Sequence, residues 1–543
     1  MRVRSVLLIA VLAIGVESAH AAGPTTAAAD GMLEQRAIAA ILRDSNPRTP
    51  GAEHPLPLAA SWSMGLTPFG FTPAWQVEQI RRGQYLLPWF WLGVPPASPA
   101  KDPGYATVFD ALYYGSAIGY LARHRLPLGF DIPPWELLLP RVSPAFAKID
   151  AGGNPLRISP FGPIAPWYQA GRAWARSPSL QQLQRLYPNP PLVLFVSDDE
   201  SHQLTPDDLH APYSVHATPQ IIARRRAIGD AWIVHYKAMI RGFRDGLEAP
   251  GWRAHALFIG YDAFVTSAMG RWGGWGTYSL CVPGRTEPRP YAWDGASVSY
   301  YVHNWAPDSD YTVWSPEIEA MNYVPVLAEL RRTKPDFWFE LSTWDGQEPG
   351  QPSDKLLFYA KRGQTYSPDR YGGMVQFGMW LLRPRVVRDF RGSLDDERIR
   401  FGPYFDRIMD AVARVHRDPL LRDFWQHGRL LANPAGGHPY EVALTPELAS
   451  RPRWFLLDSA ANPPRPWQLT TPLDVYALAL VRGRAPHREW LVYAFSPLQR
   501  SGLVPIRIPG GPDVTVRTAQ RGAFTRIQEG DSLSGAREAA VGP

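Results

Sequence analysis

The stretch Phe337-Trp-Phe-Glu340-Leu-Ser-Thr-Trp344-Asp345 decides how the rest of the chain is read. An aromatic run with the composition of a buried strand ends in a carboxylate, then opens into a polar loop that holds Trp344. A far upstream stretch, Leu192-Val-Leu-Phe-Val196-Ser-Asp198-Asp199-Glu200, has the same form. Two apolar strands that each deliver an acid, in a chain with 21 Trp and 23 Tyr, point to a pair of carboxylates facing a sugar. A carboxylate is costly to bury without a partner. Glu340 therefore has either a chemical role or a structural ion pair, with Arg383 or Arg385 as the partner.

Working outward from these two stretches, apolar or aromatic strand candidates recur. They fall at Leu58–Ser63, Tyr85–Leu92, Pro127–Ile132, Leu192–Ser197, Ala256–Tyr261, Ser297–Val302, Asp336–Leu341 and Gly373–Trp380. A helical pattern or a long loop separates each from the next, which predicts βα units and a parallel sheet. Thr218-Pro219 opens a helix with an apolar stripe running to Phe243, and Ser315-Pro316 opens another with Glu317 and Glu319 in its first turn. The predicted fold class is α/β: a (β/α)8 TIM barrel over residues 56–435, followed by a small C-terminal all-β sandwich over 440–530.

Strands at Trp454–Leu457, Val475–Val481, Trp490–Phe495, Val504–Ile508 and Val514–Thr518 carry the sandwich prediction, after a last helical region at Asp395–Val415. Residues 22–55 read as a lead-in and 531–543 as a polar tail. Long Pro-, Gly- and aromatic-rich loops at 95–107, 133–167 and 272–293 are expected to wall a cleft on the C-terminal face of the barrel.

The N-terminus has the form of a secretory signal at 1–21. Arg2 and Arg4 precede an apolar run from Val6 to Val16, and Ala19-His20-Ala21 is a small-x-small cleavage site. The expectation is an exported protein, periplasmic or extracellular after cleavage near Ala21, with no integral membrane segment. The formal charge is +6, and removing Arg2, Arg4 and Glu17 with the signal leaves +5. Basic residues are interspersed with acids, unlike a nucleic-acid binder. One cysteine, Cys281, excludes an intramolecular disulfide and a thiolate zinc site.

Catalytic groups of such a barrel sit at the C-terminal ends of its strands. Glycoside hydrolysis needs one protonated carboxyl and one ionised carboxylate, held apart by their environments. Glu200 after strand four and Glu340 at the end of strand seven meet that need. The arrangement resembles the clan A glycoside hydrolases, retaining enzymes on (β/α)8 barrels. The resemblance spans roughly residues 56–420, is architectural, and singles out no family.

The resemblance implies that Glu200 is the acid/base and Glu340 the nucleophile. Where the clan carries Asn before its acid/base, to bind the sugar 2-hydroxyl, this chain has Asp199. That carboxylate accepts from a hydroxyl but donates only when protonated. The clan commonly floors its sugar site with a Trp at the end of strand eight, a place Trp380 fits. Tyr301 or His303 matches the group that contacts the nucleophile.

Further candidates come from position alone. Asp131 at the end of strand three, Asp262 after strand five and Glu136 in Pro133-Pro134-Trp135-Glu136 are sugar-hydroxyl acceptors or caps and loop holders. Trp89 and Trp91 share one face of their strand, so both line the cleft or both pack; Trp62 divides the same way. There is no HExxH, no histidine pair at i, i+4 with an acid, and no G-x-S-x-G. His202 beside Asp198 and Asp199 is the one thin metal alternative. No cofactor is expected, and the expected partner is a carbohydrate. The leading expectation is an exported retaining glycoside hydrolase acting on a poly- or oligosaccharide; the alternative is a carbohydrate-binding barrel without chemistry.

Overall fold

The computed structural model describes residues 54–61, 82, 85–91, 111–132, 147–149, 155–158, 163–197, 234–263, 294–301, 338–342, 367–390, 395–431, 475–496, 502–508 and 511–530. The predicted signal, the loop at 272–293 and the candidate strand Trp454–Leu457 lie outside these residues.

An eight-stranded, all-parallel sheet forms the centre. Its strands are β1 (Leu58–Ser61), β2 (Trp89–Trp91), β3 (Leu128–Ile132), β6 (Val193–Ser197), β7 (Ala256–Ala263), β8 (Gly295–Tyr301), β9 (Trp338–Ser342) and β10 (Val386–Phe390). A small antiparallel pair, β4 (Ala147–Ile149) and β5 (Pro155–Ile158), lies outside that sheet. The spatial order is β1-β10-β9-β8-β7-β6-β3-β2, so each strand lies beside its predecessor in the chain. Parallel neighbours need crossovers, and the described helices supply several of them. The two ends of the order are joined by a parallel bridge between Ala59 and Leu86. There Ala59 donates its N–H to the Tyr85 carbonyl at 3.0 Å and Leu87 donates to the Ala59 carbonyl at 2.7 Å.

The strands read as continuous apolar runs because both faces are covered. Alternation separates the faces. Leu128, Phe130, Val193, Phe195, Phe258 and Val387 pack in the large cluster with the helices. Ala60, Leu87, Leu194, Val196, Ile259 and Val386 form a second, inner cluster. On the helix side Phe130, Phe195 and Phe258 stand in register and stack at centroid distances of 5.4 and 5.2 Å.

The crossover helices include α1 (Ala111–His124), α2 (Ala165–Ala175), α3 (Pro178–Leu186), α4 (residues 234–246) and α5 (Pro250–His255). The described start of α4 falls inside the helix predicted from Thr218; its proposed cap lies outside the described residues. Helices α2 and α4 cross almost backbone to backbone. A Cβ on Gly171 would lie 2.1 Å from the Met239 carbonyl oxygen, and one on Gly242 would lie 2.0 Å from that of Tyr168. Gln184 of α3 accepts from the backbone N–H groups of Glu248 and Ala249 at 2.8 and 2.9 Å, which satisfies donors at the start of α5.

The sequence expectation fails at the eighth strand. Gly373–Trp380 is not a strand; it lies inside α6 (Pro368–Leu382). Ser367 caps this helix, accepting from the Arg370 N–H at 3.2 Å, and Pro368 follows at its start. The segment is buried on every side, from Arg370 to Leu382, so its sequence lacks the amphipathic period of a surface helix. The eighth strand is β10, which follows the helix.

Two more helices, α7 (Asp395–Arg417) and α8 (Pro419–His427), tie down the start of the sheet. His416 donates Nε2–H to the Pro57 carbonyl at 2.6 Å and stacks on Tyr85 at 3.6 Å. Trp425 donates its indole N–H to the Pro55 carbonyl at 2.8 Å. Asp418 caps α8 by accepting from the N–H groups of Leu420 and Leu421.

The C-terminal region is antiparallel. Strands β11 (Arg429–Leu430), β12 (Tyr476–Arg482), β13 (Glu489–Phe495) and β16 (Ala523–Gln528) form one sheet, and β14 (Gly502–Arg507) pairs with β15 (Asp513–Thr518). Alternate residues of β12 and β13 face opposite ways. Ala477, Ala479, Val492 and Ala494 share a core with Val504, Ile506, Val514 and Val516 of the hairpin. Tyr476, Leu478, Tyr493 and Phe495 instead join the main core against α6 and α8. The contact is close: a Cβ on Gly373 would lie 2.3 Å from the Gln520 carbonyl oxygen and 2.8 Å from the Phe495 ring.

At the sheet edge Glu489 accepts from Arg482 (2.7 Å from Nε), from Arg526, and from Gln528 (2.9 Å). Arg482 also pairs with Asp423 of α8 and lies over the Phe424 ring at 4.4 Å. Among the described residues, no helix is long and apolar enough to cross a membrane.

Candidate active site

In a parallel sheet, residues in register occupy the same face, so the backbone places the candidates before any side chain is considered. Glu340 is the third of five residues in β9, not its last. Its register partners are Ser299 on β8 and Arg388 on β10. The row continues to Ala263 on β7 and Ala60 on β1. Ala60 belongs to the inner cluster, so this row lies on the inner face of the sheet.

Tyr301 is the last residue of β8, in register with Ser342, two positions beyond Glu340 on the same face. Asp131 is in register with Trp91 on one side and Val196 on the other, and Val196 is an inner residue. Trp89 pairs with Gly129 and shares that inner parity with Trp91. The alternation that puts Ile259 inside and Phe258 against the helices assigns Asp262 to the helix-side row, beside Val298. The structure thus brings Glu340 and Tyr301 onto neighbouring inner positions, and Trp91 beside Asp131. Glu200, Asp199, Glu136, His303 and Trp344 lie outside the described residues.

The assignment of Trp380 is corrected. It is fully buried in α6, donates its indole N–H to Gln376 at 3.2 Å, and packs edge-on against Trp425 and Phe524. This ring is core between the helices and the C-terminal sheet, not the floor of a sugar site. The misplacement follows from taking α6 for the eighth strand.

One of the two arginines proposed as partners for Glu340 also holds backbone carbonyls. Arg383, which ends α6 in the left-handed conformation, sends Nη1 to the carbonyls of Trp425 and Gly428 at 3.1 and 2.5 Å, closing the end of α8. The arginine in register with Glu340 is Arg388, which is 0% exposed. Sequence reading passed over it because β10 was not recognised. The signal was present in Val386-Val387-Arg388-Asp389-Phe390, a short β-rich run directly after a buried helix. Among the described residues, no group of three or more His, Cys, Asp or Glu side chains is arranged to hold a metal ion.

No family model and no curated protein matches this chain. Solved structures with a related course of chain include the GH36 α-galactosidase AgaA from Geobacillus stearothermophilus in complex with stachyose, at 12% identity and a TM-score of 0.39. That match covers 88% of this chain and 53% of AgaA, so the chain spans about half the length of that enzyme. An α-galactosidase from Lactobacillus brevis gives 11% identity and a TM-score of 0.38, over 85% of this chain and 47% of the other. A GH30 endoxylanase from Clostridium papyrosolvens C71 gives 9% and 0.35, over 88% and 97%. At these values the likenesses assign no activity.

Proposed function

We propose that this chain is an exported retaining glycoside hydrolase, a (β/α)8 barrel with a C-terminal β-sandwich. The observation that carries the reading is the inner-face position of Glu340 on the seventh strand of an eight-stranded parallel sheet whose two ends are bridged. Supporting it, the fourth strand runs into Ser197 and the chain then supplies Asp198, Asp199 and Glu200. Parallel sheets of this kind gather their chemistry at the carboxyl ends of the strands.

In this reading the Glu340 carboxylate attacks the anomeric carbon while Glu200 gives its proton to the departing glycosidic oxygen. A glycosyl ester on Glu340 results. Glu200, now ionised, takes a proton from water, whose oxygen attacks the anomeric carbon and returns the bonding pair to Glu340. Tyr301, Asp131, Trp89 and Trp91 are the positions proposed to meet the sugar.

The test is hydrolysis of a panel of oligosaccharides, read as released reducing ends, by the wild type and by Glu340→Gln. Loss of a nucleophile lowers turnover by several orders of magnitude. Variant activity within about tenfold of wild type, in a protein of unchanged circular dichroism, would remove Glu340 from the chemistry. A second reading, a carbohydrate-binding barrel that has lost catalysis, is favoured by Asp199 standing where the clan carries Asn. It requires calorimetric binding of oligosaccharide with no reducing-end release by the wild type.

A further inference from the structure

Arg388 has no part in the reading above, yet its position is unusual for its chemistry. It stands in the middle of β10 and is 0% exposed. Val386, two residues earlier, packs in the inner cluster, while Val387 packs toward the helices. Arg388 therefore has inner parity. Guanidinium groups keep their charge when buried, and a buried charge is stable only beside an opposite one.

Of the two strands that flank β10, β1 reads Leu-Ala-Ala-Ser and β9 reads Trp-Phe-Glu-Leu-Ser. Together they contain a single acid, Glu340, and it is the residue in register with Arg388. The rest of the row is small: Ala60 beyond Arg388, Ser299 and Ala263 beyond Glu340.

We infer that Arg388 is a positioning residue for Glu340, a built-in counter-charge that keeps this carboxylate ionised inside the sheet. The role rests on the assignment of Glu340 as nucleophile. Burial alone raises a carboxyl toward neutrality, and a protonated Glu340 has no lone-pair charge to bring to the anomeric carbon. A cation at the in-register position reverses that tendency. The same charge stabilises the carboxylate that departs when water cleaves the glycosyl ester, so Arg388 serves both half-reactions without touching the sugar.

The experiment follows the ionisation of Glu340 by two readouts in Arg388→Met and Arg388→Lys. One is the acidic limb of the kcat/KM profile. The other is the carboxyl-carbon resonance of labelled glutamate, assigned to Glu340 by its disappearance in Glu340→Gln, which needs no turnover. An opposite charge within bonding range lowers a carboxyl by about one to three pH units. Arg388→Met is therefore expected to raise both the limb and the resonance midpoint by about that amount, with kcat falling and KM little changed. Arg388→Lys keeps a charge but not the planar fork, and is expected to give a smaller rise in the same direction. If Arg388→Met does not fold, Arg388→Lys carries the test.

An unmoved limb and an unmoved resonance in a folded variant overturn the inference, leaving Arg388 as structure alone. A shifted resonance in a chain whose wild type hydrolyses nothing overturns the catalytic role through failure of the functional reading, with the ion pair itself intact. An active wild type with a stationary resonance refutes Arg388 and spares the hydrolase.

Discussion

Replacing Glu489 with Gln tests how the edge of the C-terminal sheet is held together. Burial works against the charge on Glu489, but hydrogen bonds from Gln528, Arg526 and Arg482 outweigh it and hold the carboxyl down at about 2, against an ordinary 4.5. The side chain is 18% exposed, so solvent screens this interaction only in part. At about 1.4 kcal/mol per pH unit, the depression corresponds to about 3 kcal/mol of folded-state stability.

Because the folded value is the lower one, that stability is complete above pH 4.5 and is lost as pH falls toward 2. In that window the unfolded chain binds the proton first. By pH 3.5 about 1.4 kcal/mol of it is gone. Gln has no such linkage. Urea unfolding of wild type and Glu489→Gln, followed by circular dichroism at pH 6 and pH 3.5, isolates the effect because every other carboxylate cancels between the two proteins. The wild-type advantage is expected to shrink by about 1 kcal/mol on going to pH 3.5. A difference that stays constant across that range refutes the reasoning and makes the Arg482–Glu489–Arg526 cluster a crossing of side chains without net electrostatic value.

Two other perturbations test the packing. Gly373→Ala places a methyl group against the Gln520 carbonyl and the Phe495 ring, where the helix has no room to withdraw. A loss of about 1–3 kcal/mol is expected, seen as a lowered thermal midpoint, and an unchanged midpoint would mean that the helix–sheet contact is looser than described. Burial lowers the His416 imidazole below its usual range and the Arg422 charge adds to this, while the Pro57 hydrogen bond opposes them. A depressed histidine makes its contribution above the unfolded value near 6.5 and loses it as pH falls. Stability should therefore decline below about pH 6.5 in the wild type, and His416→Gln should flatten that part of the profile.

The seven strands from β1 to β9 of the parallel sheet were legible because strands buried on both faces are short unbroken apolar runs, and few other elements look that way. The same logic misled at α6. Gly373-Met-Val-Gln-Phe-Gly-Met-Trp380 is a helix sandwiched between the main core and the C-terminal sheet, so it too is apolar but for Gln376. Periodicity cannot separate a helix without a wet face from a buried strand. The cap could have done so, since Ser367-Pro368 followed by Asp369 is a helix opening. Strand β10 was hidden by Arg388 and Asp389, charged residues that the fold buries completely. β16 was missed because Ala523-Phe-Thr-Arg-Ile-Gln528 is only half apolar; its place is set by pairing with β13 along its whole length. For the site, the strand that carries Glu340 was legible, but its mid-strand place and its neighbours were not, because register is a relation between strands far apart in the chain.

The bridge at Ala59–Leu86 gives the parallel sheet a weak point. The other strand pairs are joined by ladders of three to five registered residues, whereas among the described residues this joint shows two backbone hydrogen bonds. It is braced by the packing of Ala60 with Leu87 and, from outside the sheet, by His416 on Pro57 and Tyr85 and Trp425 on Pro55. Sub-global opening begins where backbone bonds are fewest. The sheet is therefore expected to part first between β1 and β2, with α7 and α8 acting as the clasp. Arg388 and Glu340 lie one and two strands from that gap. A molecule that loosens there opens the row of inner positions at its β1 end without unfolding.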